Sequence, residues 1–365
     1  MIVNMGKAVI YGAGNIGRGF IGQLFARSGY EICFIDVDET LILALNRRGE
    51  YPVRELLDEG WREESVTNVR AVNGRDIDAA AREIAQADVM ATAVGVNALP
   101  LIAGPLAAGI ARRYKENCGP LNILICENLL NASRYMRKLL SERPDAYTNA
   151  WFEENIGLVE TSVGRMVPVQ TEELRAGDPL RVCVEEYGEL PADRAAFKGE
   201  IPQVKGLEPF SPFDFYVERK LYIHNMGHAA AAYLGFQRGY AYIWEAVGDP
   251  YIRETVRRAM LESGRALCGR YNADKSGVCL HIEDLLLRFG NRQLGDTVAR
   301  VGRDLPRKLA GNDRLFGAAA MCEEQGIACP NILRGIAAAL LFPDNDQELT
   351  LGQLRQMADI VINKS

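Results

Sequence analysis

Lys220, Asn225 and His228 fall within one segment, VERKLYIHNMGH (217–228), at positions i, i+5 and i+8. A lysine can exchange a proton, and an amide and an imidazole can hold a polar oxygen. The set therefore suits acid–base chemistry at a hydroxyl or carbonyl. On an ideal helix, at about 100° per residue, the three spread over roughly 140° of arc and share one broad face. The Lys and His Cα atoms then stand about 12 Å apart along the axis. A long substrate, a folded-over lysine or an irregular helix near Gly227 would let them converge. By periodicity alone, a solvated lysine and a core histidine are the simpler account.

A second chemical signal lies near the start of the chain. Gly12-Ala13-Gly14-Asn15-Ile16-Gly17 follows a strand-like run and opens a helical one. Gly12 permits a tight turn, Gly14 admits a pyrophosphate to the backbone, and Gly17 lets helix and sheet pack closely. The free N–H groups and positive dipole of the helix start would hold the phosphates. Asp36 closes the second strand about twenty residues downstream, where a carboxylate accepts from ribose hydroxyls and repels the extra phosphate of NADP. NAD is the expected cofactor. An FAD enzyme with the same fingerprint is the structural competitor, and solvated turn residues are the plain account of Asp36 and Asp38. Thr92, Ala93, Val94 and Gly95 end another strand, at the sheet edge that lines the nicotinamide half of such a crevice.

The elements that must position these residues differ between the two halves of the chain. AVIYG (8–12), EICFID (31–36), VRAV (69–72), DVMATAV (88–94) and NILICEN (122–128) are short β-like runs separated by helical stretches. That alternation predicts a Rossmann-type, doubly wound parallel sheet. GLVETSV (157–163) and LRVCVEEY (180–187) are expected to extend the same sheet. Beyond about residue 212 the pattern is helical. We expect a dinucleotide-binding domain over 1–195 and a mostly α-helical catalytic domain over 196–365, joined through Leu190–Pro212.

Composition narrows the function classes. The 365 residues favour two domains, and a formal net charge of −6 offers no basic footprint for nucleic acid or an anionic membrane. No window is apolar enough to span a bilayer, and no signal peptide is read at the N-terminus. The eight cysteines are scattered without a CxxC pair, as expected of reduced thiols in a cytoplasmic protein. Three dispersed histidines offer no zinc cluster, so no metal is expected.

The segment from Lys220 to His228 resembles the K-x-x-x-x-N-x-x-H signature of the polyol-specific long-chain dehydrogenase/reductases, the mannitol dehydrogenase family. The likeness continues through YGAGNIGRGFIGQLFA, LNRRGEYPV, TAVG, Cys126-Glu127-Asn128, VERKLYIHNMGHAAAAYLG and RFGNRQLGDTVARVGRDLPRKLAGNDRL. It implies hydride transfer without metal, with Lys220 as general acid/base and Asn225 and Asn128 donating to the developing alkoxide. It also implies that His228 orients the substrate, and that Arg300 and Lys308 contact the polyol. The implied reaction is interconversion of D-mannitol 1-phosphate and D-fructose 6-phosphate by a monomer or homodimer. Reduction of a sugar acid or an unphosphorylated polyol is the rival within the family. A non-catalytic NAD sensor is the rival outside it, and has no need of Lys220, Asn225 and His228 together. One departure stands out: Val163-Gly164-Arg165-Met166-Val167-Pro168 has glycine where relatives tend to carry aspartate before the arginine.

Overall fold

The computed structural model describes residues 6–143 and 148–343. Its contacts divide the chain into two compact units between Asp214 and Phe215. The first unit carries the strands β1 (Lys7–Tyr11), β2 (Glu31–Asp36), β3 (Glu50–Leu56), β4 (Trp61–Thr67), β5 (Val69–Asn73), β6 (Val89–Thr92), β7 (Leu121–Ile125), β8 (Ile156–Glu160), β9 (Val182–Glu185), β10 (Leu190–Asp193) and β11 (Leu207–Phe210). Six of them form a wholly parallel sheet in the order β5-β2-β1-β6-β7-β8. In chain order this is third, second, first, fourth, fifth, sixth, the Rossmann arrangement, whose direction of winding reverses between β1 and β6.

Register brings the chemical segments to one edge of the sheet. Tyr11 at the end of β1 lies opposite Ile35 in β2 and Thr92 in β6. The glycine turn, Asp36 and the Thr92–Gly95 turn therefore emerge together. Alternation along β1 feeds two cores: Ala8 and Ile10 join Phe20, Ile21 and Leu24 on one face. Val9 and Tyr11 join Ile84, Ile102 and Leu106 on the other. This two-sided burial is why the strands read as nearly continuous apolar runs.

Of the two expected extensions, 157–163 supplies the sixth parallel strand, β8, whereas 180–187 does not join this sheet. Its strand, β9, pairs parallel to β3, and β3 pairs antiparallel to β4, in a separate three-stranded sheet. The reason is packing: a Cβ on Gly19 would lie 2.6 Å from Val182 Cγ1 and 2.8 Å from Val184 Cγ1. The glycine face of the first helix is thus already filled by β9. The expected boundary at 195/196 falls inside a stretch that is tied to the first unit. Lys198 N donates to Asn122 Oδ1 at 2.8 Å, and Lys205 N donates to Ser28 Oγ at 2.9 Å.

The named elements of the second unit's described residues are all helices, the long ones over Met226–Gln237, Pro250–Tyr271 and Lys275–Phe289. Asp249 caps the longest, accepting from Tyr251 N and Ile252 N, and Asn272 ends it in the left-handed conformation. Gly227 permits the close crossing of the first two, since a Cβ there would meet Met260 Sδ at 2.6 Å. No helix among the described residues is long and apolar enough to cross a membrane.

A buried charge network locks the first helix to the smaller sheet. Glu55, with a side chain 2% exposed, accepts from Gln23 Nε2 at 3.0 Å, Arg27 Nη2 at 2.7 Å and Arg62 Nε at 2.9 Å. The fully buried Arg165 guanidinium lies 3.5 Å from it and also donates to the Gly19 carbonyl at 2.8 Å. Burial acts to raise the Glu55 carboxyl, but Arg62 and Arg27 bring it below its ordinary 4.5. Glu55→Gln is therefore expected to cost about 3 kcal/mol at neutral pH, because it leaves buried guanidinium charge uncompensated. A depressed carboxylate contributes stability above its unfolded pKa and loses it as pH falls through the folded value. Urea melts at about pH 7 and about pH 3 check this, the gap between parent and variant narrowing at the lower pH.

Candidate active site

The glycine turn is clamped at Ala13 from both sides. Ala13 N donates to Asp36 Oδ2 at 2.6 Å, and its carbonyl accepts from Arg18 Nε at 2.7 Å. Asp36 Oδ1 accepts from Val37 N at 2.7 Å and Asp38 N at 3.0 Å. Three amides on a carboxylate with about four acceptor positions leave room for a further donor. Asp38 itself caps the helix Glu39–Arg48 through Leu41 N. Gly12 has φ +100, and a Cβ on it would meet the Ala93 oxygen at 2.5 Å. One on Gly17 would sit 1.9 Å from the Gly12 oxygen. Gly14 differs: nothing lies within 4 Å of its ideal Cβ, and it is exposed together with Asn15, while Ile16 is half-buried. The turn thus packs tightly at both ends and opens its middle to solvent, as a phosphate cradle requires.

Across the switch point, the β6 end is held by a buried acid. Glu127 accepts from Thr92 Oγ1 at 2.7 Å and from Val94 N at 3.0 Å. Its carboxyl is raised by burial, against which these bonds work. Thr92 is fully buried, so Ala93, Val94 and Gly95 (φ +84) are what this turn presents to the crevice. Asn128 follows Glu127 as an exposed residue beyond β7.

In the helical unit, the segment Lys220–Asn225 is wound as a π-turn between the helices Asp214–Arg219 and Met226–Gln237. Hydrogen bonds there run i to i+5, so residues five apart stack as residues four apart do in an α-helix. Lys220 and Asn225 are such a pair, and His228 follows Asn225 by three α-helical positions. The irregularity lies just upstream of Gly227 and brings all three onto one face. All three are half-buried, whereas Ile223, His224, Met226 and Gly227 are turned inward. Ser263 Oγ donates to the Tyr222 carbonyl at 2.7 Å and so anchors the wide turn to the long helix. Burial, with Arg288 and His228 nearby, holds His224 well below its ordinary 6.5 and therefore neutral.

His228 stacks on Phe289, with ring centroids 4.8 Å apart at 16°, and its Nε2 lies 3.3 Å from Asp296 Oδ2. Asp296 also pairs with Arg300, which joins the basic run to the same cluster. Lys308 is 6% exposed and donates from Nζ to the Val301 carbonyl. Burial, then Arg314 and Arg307, push its pKa down to about 8. Arg307 and Arg314 have carboxylate partners in Asp304 and Asp313. The structure therefore draws Lys220, Asn225 and His228 onto one face, ties Arg300 to His228 through Asp296, and buries Lys308 among cations. Among the described residues, no group of three or more His, Cys, Asp or Glu is placed to hold a metal.

Three supporting residues escaped sequence reasoning: Arg18, Glu127 and Asp296. Each follows or flanks a motif residue, and each had a faint signal. Glu127 is an acid ending an apolar strand, and Asp296 sits between a turn glycine and the capping Thr297.

Two family models match the chain, the mannitol dehydrogenase Rossmann domain over residues 6–206 and the mannitol dehydrogenase C-terminal domain over 213–359. The chain is 42% identical over 335 residues to the mannitol-1-phosphate 5-dehydrogenase of Brevibacillus brevis, covering 92% of this chain and 86% of that one. It is 39% identical over 336 residues to the enzyme of the same name from Bacillus licheniformis, covering 92% and 87%. Among solved structures it is similar to Pseudomonas fluorescens mannitol 2-dehydrogenase in ternary complex with NAD and D-mannitol. That match has a TM-score of 0.73 at 16% identity and covers 95% of this chain and 81% of that one.

Proposed function

The chain belongs to the mannitol dehydrogenase family, and from that premise we propose that it is an NAD-dependent dehydrogenase interconverting D-mannitol 1-phosphate and D-fructose 6-phosphate. The observation that carries the reaction class is the Lys220–Asn225–His228 face made by the π-turn. The hexitol phosphate comes from the names of the two relatives, which span nearly the whole chain.

The first unit's residues fit a dinucleotide. The open Gly14–Asn15 backbone takes the pyrophosphate, and Asp36 accepts from the adenosine ribose while repelling a 2′-phosphate. Bound NAD supplies the hydride acceptor. Lys220 takes the proton of the reacting hydroxyl, or returns it to the ketone in the reverse direction. Asn225 and Asn128 donate to the oxygen as negative charge develops there, each contributing on the order of 3 kcal/mol. His228 orients the polyol, and Arg300 and Lys308 hold its far end. The buried Lys308 ammonium donates to one carbonyl, and Arg314 and Arg307 outweigh Asp304 around it, an environment that an anionic group would relieve. A sugar-acid carboxylate would meet the same need, which keeps an aldonate reductase as the second reading.

A substrate panel decides between them. NADH absorbance should rise with NAD and mannitol 1-phosphate, with or without chelator, and stay flat with aldonates and free hexitols. No response to any hexitol, hexitol phosphate or aldonate would refute the dehydrogenase assignment. Lys220→Ala should lower turnover by ~10² or more while NADH still binds.

Lys308 makes a separate pH prediction. Its folded pKa of about 8 lies below its ordinary 10.5, so the ammonium is lost as pH rises through that value. The KM for mannitol 1-phosphate should climb above pH 8 in the parent enzyme. In Lys308→Met it should be high and nearly level across the same range. A parent KM that stays level to pH 9.5, ~1.5 units past the inflection, would remove Lys308 from anion binding.

A further inference from the structure

Asp296 lies beside the proposed catalytic face but belongs to a different element, the turn before the helix Val298–Gly302. Local sequence aims it. Gly295 takes φ +59, Thr297 caps the helix by accepting from Arg300 N at 3.1 Å, and Ile243 N donates to the Asp296 carbonyl at 2.9 Å. The carboxylate is 9% exposed as a residue and engaged at both oxygens. Oδ1 accepts from Arg300 Nη2, four positions on, and Oδ2 lies 3.3 Å from His228 Nε2. Arg300 therefore pairs with a nearly buried carboxylate and holds it in one rotamer.

The imidazole of His228 is gripped on its face by Phe289 and on one edge by Asp296. A carboxylate only accepts, so the ring nitrogen against it must carry the proton. Nδ1 is then the acceptor nitrogen of the neutral ring, suited to receive a hydrogen bond from a substrate hydroxyl. A ring with the opposite tautomer would offer that hydroxyl a donor instead, and would set two lone pairs against each other at Asp296.

On the polyol reading of this face, we infer that Asp296 is a positioning residue for hydride transfer: it fixes the Nε2–H tautomer and orientation of His228. The same carboxylate also links His228 to Arg300, so the two substrate contacts are set by one anchor.

Nitrogen-15 spectra of the full chain labelled at histidine test this directly, because only three histidines are present. His224 is held well below 6.5, and His281 is pushed down to about 3 by burial with Arg219 and Arg288 nearby, so both stay neutral. At a pH where His228 is also neutral, its proton should reside on Nε2. Finding it on Nδ1 would overturn the inference.

Kinetics give an independent arm. Asp296→Asn should reduce kcat/KM for mannitol 1-phosphate by about tenfold or more, with the KM for NAD unchanged. In the His228→Ala background the same substitution should have little further effect, as for residues that act as a unit. An undiminished Asp296→Asn penalty in that background would show that it acts elsewhere. An inert parent enzyme would refute the polyol reading instead, leaving the tautomer to be judged from the spectra.

Discussion

Both halves of the proposed chemistry depend on helical turns wound wider than α. The helix that follows the glycine turn begins as a π-segment over Gly17–Gly22, and the catalytic helix contains another over Lys220–Asn225. A wide turn disturbs the regular carbonyl ladder, so it persists where neighbours support the backbone. The two cases are supported alike. Tyr51 OH donates to the Arg18 carbonyl at 2.9 Å in the first, and Ser263 Oγ donates to the Tyr222 carbonyl at 2.7 Å in the second. In each, a buried hydroxyl from another element meets the turn from its packed side. One consequence is close packing on glycine, at Gly19 and Gly22. The other is a face on which side chains five and three apart line up.

Buried charge is handled in two ways. Around the first helix and the glycine turn, it is closed into networks. Glu55 and Arg165 satisfy one another and Arg27, Arg62 and Gln23, while Arg18 and Asp36 share the Ala13 peptide. Such closure gives rigidity where a turn must keep its shape. At Lys308, by contrast, a buried ammonium donates to one carbonyl, with Arg314 and Arg307 outweighing Asp304 around it. On the proposed reading, that ammonium is kept for an anionic group of the substrate.

Much of this was readable in the residues, for reasons that differ from element to element. The glycine spacing, the strand–helix alternation and Asp36 are local signals, and their structural counterparts are the turn, the Rossmann strand order and the Ala13 clamp. The sheet partner of β9 was not readable, because Val182 and Val184 carry the same apolar pattern for any sheet. Only the bare face of Gly19 decides which one receives them. The helical geometry of Lys220, Asn225 and His228 was also hidden. An α-helical period puts them on one broad face but leaves them apart in height, and no residue type announces a π-turn. Asp296 was missed because its aim depends on Gly295, Thr297 and Arg300 acting together, whereas a lone acid in a loop reads as solvated.

The Ala13 clamp has a bearing on attempts to redesign the coenzyme preference. Exchanging Asp36 for a small neutral residue is the obvious first step towards accepting a phosphorylated ribose. Here that exchange would also release Ala13 N, Val37 N and Asp38 N, and would leave Arg18 holding the turn from one side. On the proposed role of Asp36, selectivity and loop integrity rest on the same two oxygen atoms. A successful redesign would therefore have to rebuild the turn's support as well as remove the repulsion, so coenzyme choice in this chain is not a modular trait.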